Sequence, residues 1–275
     1  MGKIKEIIIE ANKPIRNLWK ELWTFRELFY ILAWRDLLVQ YKQTAIGVAW
    51  SVIRPLIAMV VFSFIFGKIA KLQSENVPYP ILVYVGLLPW QFFNNTLTTS
   101  AESLITNANI ISKIYFPRII ISSTSAIVSL LDFLISFCIL LLLMLLFNVF
   151  PNWKIIFLPF FLILAVLTSL GLGYWISTLN VKYRDFRYVV PFIIQFSLFL
   201  SPVGFSSQIV PEEWKLLYSL NPLVGIIDGF RWCLLGQETQ LYIPGVLLSF
   251  VLAFLFFFSG IWYFTKMERN FADLI

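Results

Sequence analysis

The chain has 275 residues, of which 59% are hydrophobic and 13% charged, against the roughly 45–50% apolar content of ordinary soluble domains. Most of it must therefore meet lipid or other apolar helices, because a soluble core of this size cannot hide 28 Phe, 11 Tyr and 10 Trp without large sticky patches. A net charge of +6 would suit nucleic acid, but topology accounts for the basic residues better, and the absence of histidine removes the commonest general base and metal ligand.

From the N-terminus, the first hydrophobic run, 7–9, is followed by charges rather than by an apolar core and a small-residue cleavage site. A cleaved signal peptide is not expected, and residues 1–46 are read as a cytoplasmic or interfacial segment. Within it, 18–43 mixes Leu22, Phe25, Phe29, Leu32 and Trp34 with Lys20, Arg26, Arg35 and Lys42. That pattern predicts an amphipathic helix on the cytoplasmic leaflet, the alternative being a solvated lead-in helix.

A bilayer core of about 30 Å needs about 20 apolar residues per crossing. Six spans are predicted, at 47–69, 79–103, 119–149, 155–179, 188–205 and 242–265, the fifth cut short by Pro202 and Gly204. The expected architecture is an all-α integral membrane protein with a six-span domain over 47–265 and a cytoplasmic tail over 266–275. With both termini inside, 15 Lys and Arg fall on the cytoplasmic side and 5 on the other, as the positive-inside rule requires of an inner-membrane protein. Cys138 and Cys233 lie in apolar surroundings without metal-ligand spacing and read as packing residues.

Between the fifth and sixth spans, 206–241 is too apolar for a free loop yet is broken by Pro211, Asn221, Pro222, Gly225, Gly229 and Gly236. Such broken helices are re-entrant or interfacial and suit an outer gate; two short helices resting on the outer leaflet are the alternative. Asp228 and Arg231, three residues apart, are expected to pair and hold its shape.

Four ordered segments together carry a resemblance. Arg35-Asp36 followed by VQYKQTAIGVAWSVIRPL, NANIISKIYFPRIIIS at 107–122, VKYRDFRYVVPFIIQFSLFLSPV at 181–203 and LNPLVGIIDGFRWCLLG at 220–236 resemble the first-span entry, first cytoplasmic loop, fifth span and outer gate of polysaccharide exporters of the type-2 ABC transporter family. The resemblance implies a permease that forms a homodimer and pairs with two copies of a separate ATPase. It implies export of O-antigen, teichoic acid or capsular glycan on a polyprenyl carrier. No Gly-x-x-x-x-Gly-Lys-Ser/Thr loop is present, so this chain is not expected to be an enzyme or to bind a cofactor, ATP and Mg belonging to the partner.

Site residues are assigned accordingly. Asn107, Ile110, Ile111, Ile114, Tyr115, Phe116 and Pro117 form a short apolar helix with a proline stop, suited to a groove on the ATPase; Arg35 joins them in the coupling role. A glycan path can use aromatic faces and exchangeable amide or hydroxyl partners. Trp50, Arg54 and Phe64 on the first span, and Tyr188, Phe192, Gln195, Phe196 and Phe199 on the fifth, are its candidates, although an aromatic stripe also serves packing. Arg54 suits a carrier-lipid phosphate or an ion pair with Glu102. Asp132, mid-span, is expected to be a protonated or hydrogen-bonded packing group rather than a proton relay. Asn221, Pro222, Asp228 and Arg231 are the gate candidates.

Other classes fit less well. A type-2 permease for a drug or lipid lacks use for the aromatic stripe, and a membrane-embedded glycan enzyme would cluster its catalytic groups at one face. A proton-driven flippase or channel would show matching halves or several intramembrane charges.

Overall fold

The computed structural model describes residues 18–42, 49–71, 77–183, 185–236, 241–268 and 271. The expectations placed on 1–17, on the 43–48 approach to the first span and on the rest of the tail lie outside the described residues. All regular secondary structure among the described residues is helical. α1 (Leu18–Thr24) and α2 (Arg26–Lys42) lead to α3 (Ala49–Phe62), which continues through a π-helical turn, Ser63–Ile69. Then follow α4 (Tyr79–Thr106), the four-residue α5 (Ala108–Ile111), α6 (Ile119–Leu146), and α7 (Leu158–Lys182) behind a 3₁₀ turn at Trp153–Phe157. α8 (Phe186–Leu200), α9 (Glu212–Tyr218), α10 (Pro222–Leu235) and α11 (Ile243–Met267) complete the chain.

Four stretches are long and apolar enough to cross a membrane: Ala49–Ile69, Ile119–Leu146, Trp153–Lys182 and Ile243–Met267. The other two expected spans each satisfy one criterion. α4 has 28 residues, about 42 Å at 1.5 Å per residue, but carries a run of amides and hydroxyls from Gln91 to Thr99. α8 is apolar but only 15 residues long, its chain turning at Ser201 instead of continuing to 205. The third span also ends earlier than expected. Asn148 adopts φ 57°, a left-handed conformation that Asn tolerates, and the Val149 N–H closes on the Met144 carbonyl at 2.9 Å, which terminates the helix.

α4 is the axis of the bundle, packed on α6, α7, α3 and α10, with Tyr84, Leu88, Phe92, Leu97 and Leu104 buried. α7 packs along both α4 and α11. Small residues let the α7 and α11 backbones touch: a β-carbon on Gly171 would lie 2.5 Å from the Phe256 carbonyl carbon, and one on Gly260 would overlap the Gly171 carbonyl. In lipid, where burying apolar surface gives helices little reason to associate, such close approach holds them together. Gly260→Val is therefore expected to destabilise the fold by about 1–3 kcal/mol, seen as a lowered thermal midpoint in detergent.

α2 departs from the amphipathic expectation. Leu32 and Ala33 are buried, but Tyr30, Ile31, Trp34, Leu38 and Val39 are all exposed, so apolar residues encircle the helix instead of forming one stripe. The cause is its neighbour: α2 runs against α6, with Thr124 Oγ donating to Asp36 Oδ2 at 3.2 Å and, a turn further along α2, Gln40 and Tyr41 reaching Asp132. It is a helix packed along a span.

Candidate functional site

α3, α4 and α6 enclose a cavity of about 530 Å³ lined by Trp50, Arg54, Trp90, Gln91, Asn94, Asn95, Thr98 and Thr99, with Ser129, Asp132 and Ser136 opposite. The α4 groups recur every three or four positions and so share one helix face. Trp90 is buried, and its indole Nε1 has no partner among the described residues. The Arg54 guanidinium lies 5.6 Å from the centre of the Trp50 ring. Among the described residues Arg54 makes no ion pair with Glu102, and the stack on Trp50 is what holds it. The cavity thus offers indole faces, amides and hydroxyls around one cation, a set that accepts a hydroxyl-rich ligand by exchanging one hydrogen bond for another.

Asp132, halfway along α6, closes the cavity's far wall. It accepts from Tyr41 at 2.5 Å, Ser51 at 2.5 Å and Gln40 at 2.9 Å. Those donors come from α2 and α3, so one carboxylate ties the lead-in helix and the first span to the third. This is the hydrogen-bonded packing role expected of it, because a mid-span carboxylate is tolerated when its acceptor sites are filled.

The structure divides the aromatic candidates. Trp50 and Arg54 line the cavity. Tyr188, Phe192, Gln195, Phe196 and Phe199 do not: α8 buries Val190 and Ile194, and the stripe faces away from the bundle, with the Phe192 and Phe196 rings 4.5 Å apart and tilted at 47°. Phe64, on the π-helical turn, also points outward.

At the opposite end from the 107–118 loop, the break after α8 is buried and gripped from α10. Arg231 is 1% exposed; its Nη1 donates to the Phe205 carbonyl at 2.9 Å and its Nη2 to the Val203 carbonyl at 3.0 Å. A β-carbon on Gly86 would stand 3.0 Å from that Nη2, so glycine on α4 makes room for the guanidinium. The Tyr79 hydroxyl donates to the Gly204 carbonyl. Asn221 caps α10, accepting from the Leu223 N–H at 3.0 Å and donating to Ser201 Oγ at 3.0 Å, with Pro222 in the first turn. No salt bridge joins Asp228 and Arg231 among the described residues, although each charge acts electrostatically on the other. The guanidinium donates to carbonyls of the broken backbone, and Asp228 lines a cavity of about 170 Å³ with Ser207, Glu212, Lys215 and Tyr218. α10 is buried among α4, α7 and α11 while α9 exposes Trp214, Leu216 and Leu217, so the two helices do not both rest on an outer surface.

At the other end, the coupling candidates form part of a second apolar cluster. Ile111 and Phe116 are buried with Leu32, Leu104, Ile119, Tyr174, Phe264 and Phe271, and Ile110 packs against them half-buried. Pro117 is buried too, whereas Ile114 and Tyr115 are exposed at the tip. Arg35 Nη2 donates to Asn107 Oδ1 at 2.7 Å while the same guanidinium grips Asp36 Oδ1 at 2.6 and 2.9 Å, and Asn107 donates to the Ser103 carbonyl at 2.9 Å. Arg35 and Asn107, 72 positions apart in the chain, are thus one hydrogen-bonded unit joining α2 to the loop.

The sequence reading missed the α4 face. The signal was present in QFFNNTLTTS at 91–100, where a helical wheel gathers the three amides with Thr98 and Thr99 on one side. Averaged hydropathy conceals it, since Phe92, Phe93 and Leu97 occupy the other.

The family model described as ABC-2 type transporter matches residues 27–235, a stretch that includes α3, α4, the 107–118 loop and all of α8 to α10. An O-antigen export system permease protein, RfbA, of Klebsiella pneumoniae is 28% identical over 256 residues, covering 90% of this chain and 95% of that relative. The protein of the same name from Myxococcus xanthus is 25% identical over 78% of this chain and 83% of its own length. The polysialic acid transport protein KpsM of Escherichia coli is 22% identical, over 72% of this chain and 77% of its own. With four helices long and apolar enough to span, and a family match across most of its length, the chain is a multi-pass membrane protein that belongs to the ABC-2 type transporter family.

Proposed function

We propose that this chain is the permease of an exporter that carries lipid-linked polysaccharide, O-antigen foremost, across the inner membrane, powered by a separate ATPase. The observation that carries the reading is the α4 face: a helix at the centre of a membrane bundle holds Gln91, Asn94, Asn95, Thr98 and Thr99 toward a cavity shared with Trp50 and Arg54. Uncharged amides and hydroxyls inside a membrane bundle need hydrogen-bond partners, which a hydroxyl-rich cargo in this cavity would supply, and the relatives named for O-antigen export cover most of the chain. In this reading α4 and α8 cross as well, giving six spans with both termini cytoplasmic, and α9 and α10 form the outer gate. Arg54 receives the carrier phosphate. Two copies face each other, so that the outward aromatic stripe of α8 meets the polymer or the second copy, and two ATPases dock on the 107–118 loops, bringing the ATP and Mg.

The test is reconstitution of the permease with its cognate ATPase in vesicles carrying lipid-linked polysaccharide in the outer leaflet. ATP-dependent appearance of polymer in the lumen, absent without the ATPase, is the expected result. Transport by the permease alone, or ATP-driven transport of a drug or simple lipid but no polymer, would overturn the reading.

A further inference from the structure

The 107–118 loop is held from an unexpected quarter, the chain's own C-terminal end. Glu268, immediately after α11, accepts the backbone N–H of Arg118 on Oε1 at 2.7 Å, and its carbonyl accepts from Arg118 Nη1 at 2.6 Å. Phe271 lies 5.8 Å beneath the Arg118 guanidinium and packs edge-on against Phe264 at 5.4 Å. It is fully buried, in the same cluster as Ile111, Phe116 and Leu32.

These contacts have a particular mechanical character. Arg118 is the residue between the loop's proline stop and the first turn of α6, where the chain changes from loop to span. Its N–H is one of the donors that a helix start leaves without an intrahelical partner, and a carboxylate there is favoured by the helix dipole. Clamping this junction to the end of α11, itself packed on α7, removes the freedom of the loop to pivot about Arg118. Arg35 clamps the loop's other end at Asn107. A ridge held at one end only would swing when pushed; held at both, it transmits a push into α4 and α6.

We infer that Glu268 and Phe271 are positioning residues of the coupling apparatus, a latch that keeps the loop rigid so that motion of the ATPase reaches the spans. The inference rests on the reading of that loop as the ATPase dock.

The experiment uses the full chain with its cognate ATPase in vesicles and measures polymer exported per ATP hydrolysed. Phe271→Ala is expected to lower that ratio at least threefold while ATPase co-purification and hydrolysis persist. Glu268→Leu should behave likewise, whereas Glu268→Gln, whose amide oxygen still accepts the Arg118 N–H, should restore the wild-type ratio. Tryptic cleavage after the exposed Lys113 supplies a readout without the ATPase, and Phe271→Ala should accelerate it. An unchanged export-to-ATP ratio in Phe271→Ala overturns the latch, as does a loss of export that merely tracks loss of protein. If cleavage is accelerated but a chain altered at Ile114 and Tyr115 still binds the ATPase, the dock reading fails while the latch survives as a holder of the loop.

Discussion

Replacing Ile114 and Tyr115 together by glutamate is expected to leave the protein inserted and folded but unable to retain its ATPase. Both side chains stand at the loop tip, 59% and 55% exposed, and neither supports the cluster beneath. Apolar anchors buried at a protein interface typically contribute about 2 kcal/mol or more each, so losing both should weaken docking by roughly 1,000-fold. Titrating the ATPase against detergent-solubilised permease measures this directly. Unchanged affinity would show that the ATPase grips elsewhere. Ile111 is the wrong position for the test, because at 6% exposed it belongs to the cytoplasmic-end core, and a charge there would unfold the loop rather than undress it.

Replacing Asn94 and Asn95 by leucine should slow polymer export by roughly tenfold or more while raising, not lowering, the thermal midpoint of the protein. Each amide that a passing sugar can use offers a hydrogen bond with a net worth of about 0.5–1.5 kcal/mol, and two of them lie side by side on the cavity wall. Leucine fits lipid or a helix neighbour better than asparagine does, so stability and transport should move in opposite directions. That divergence is the diagnostic. If both decline together, the α4 face is a packing device; if neither changes, the polymer travels by another route.

The class of fold was legible because apolar run length is a property of the sequence itself: residues 119–146 fall within the span expected at 119–149, and 243–267 overruns the one expected at 242–265 by two residues. What escaped was whatever depends on which face meets which neighbour. The fifth-span stripe was visible as a period, but a period does not say whether its face turns inward, and α8 turns it out. Arg231 and Asp228 had the spacing of a pair and do act on one another electrostatically, yet the guanidinium's hydrogen bonds went to the carbonyls of Val203 and Phe205, partners supplied by a backbone break whose geometry no spacing rule encodes. Asp132 was recognised as a satisfied carboxylate, while its donors Gln40, Tyr41 and Ser51 lie more than 80 positions away and were not. The residues at 107–117 were read together, and only packing sorted them into those that face the interior and those that face out.

On the glycan path proposed above, the ladder on α4 has a consequence for how a long chain moves. Its rungs, Gln91, then Asn94 and Asn95, then Thr98 and Thr99, follow one another at about the 5.4 Å of a helical turn, comparable with the advance of one pyranose unit along a glycan. A sugar that slips by one rung meets much the same chemistry it has just left, so no position is a trap and none is a stop. Such a track is indifferent to heading: it lowers friction equally for advance and retreat, and the sense of travel must be imposed from outside it, by whatever pulls at the loop end of the bundle.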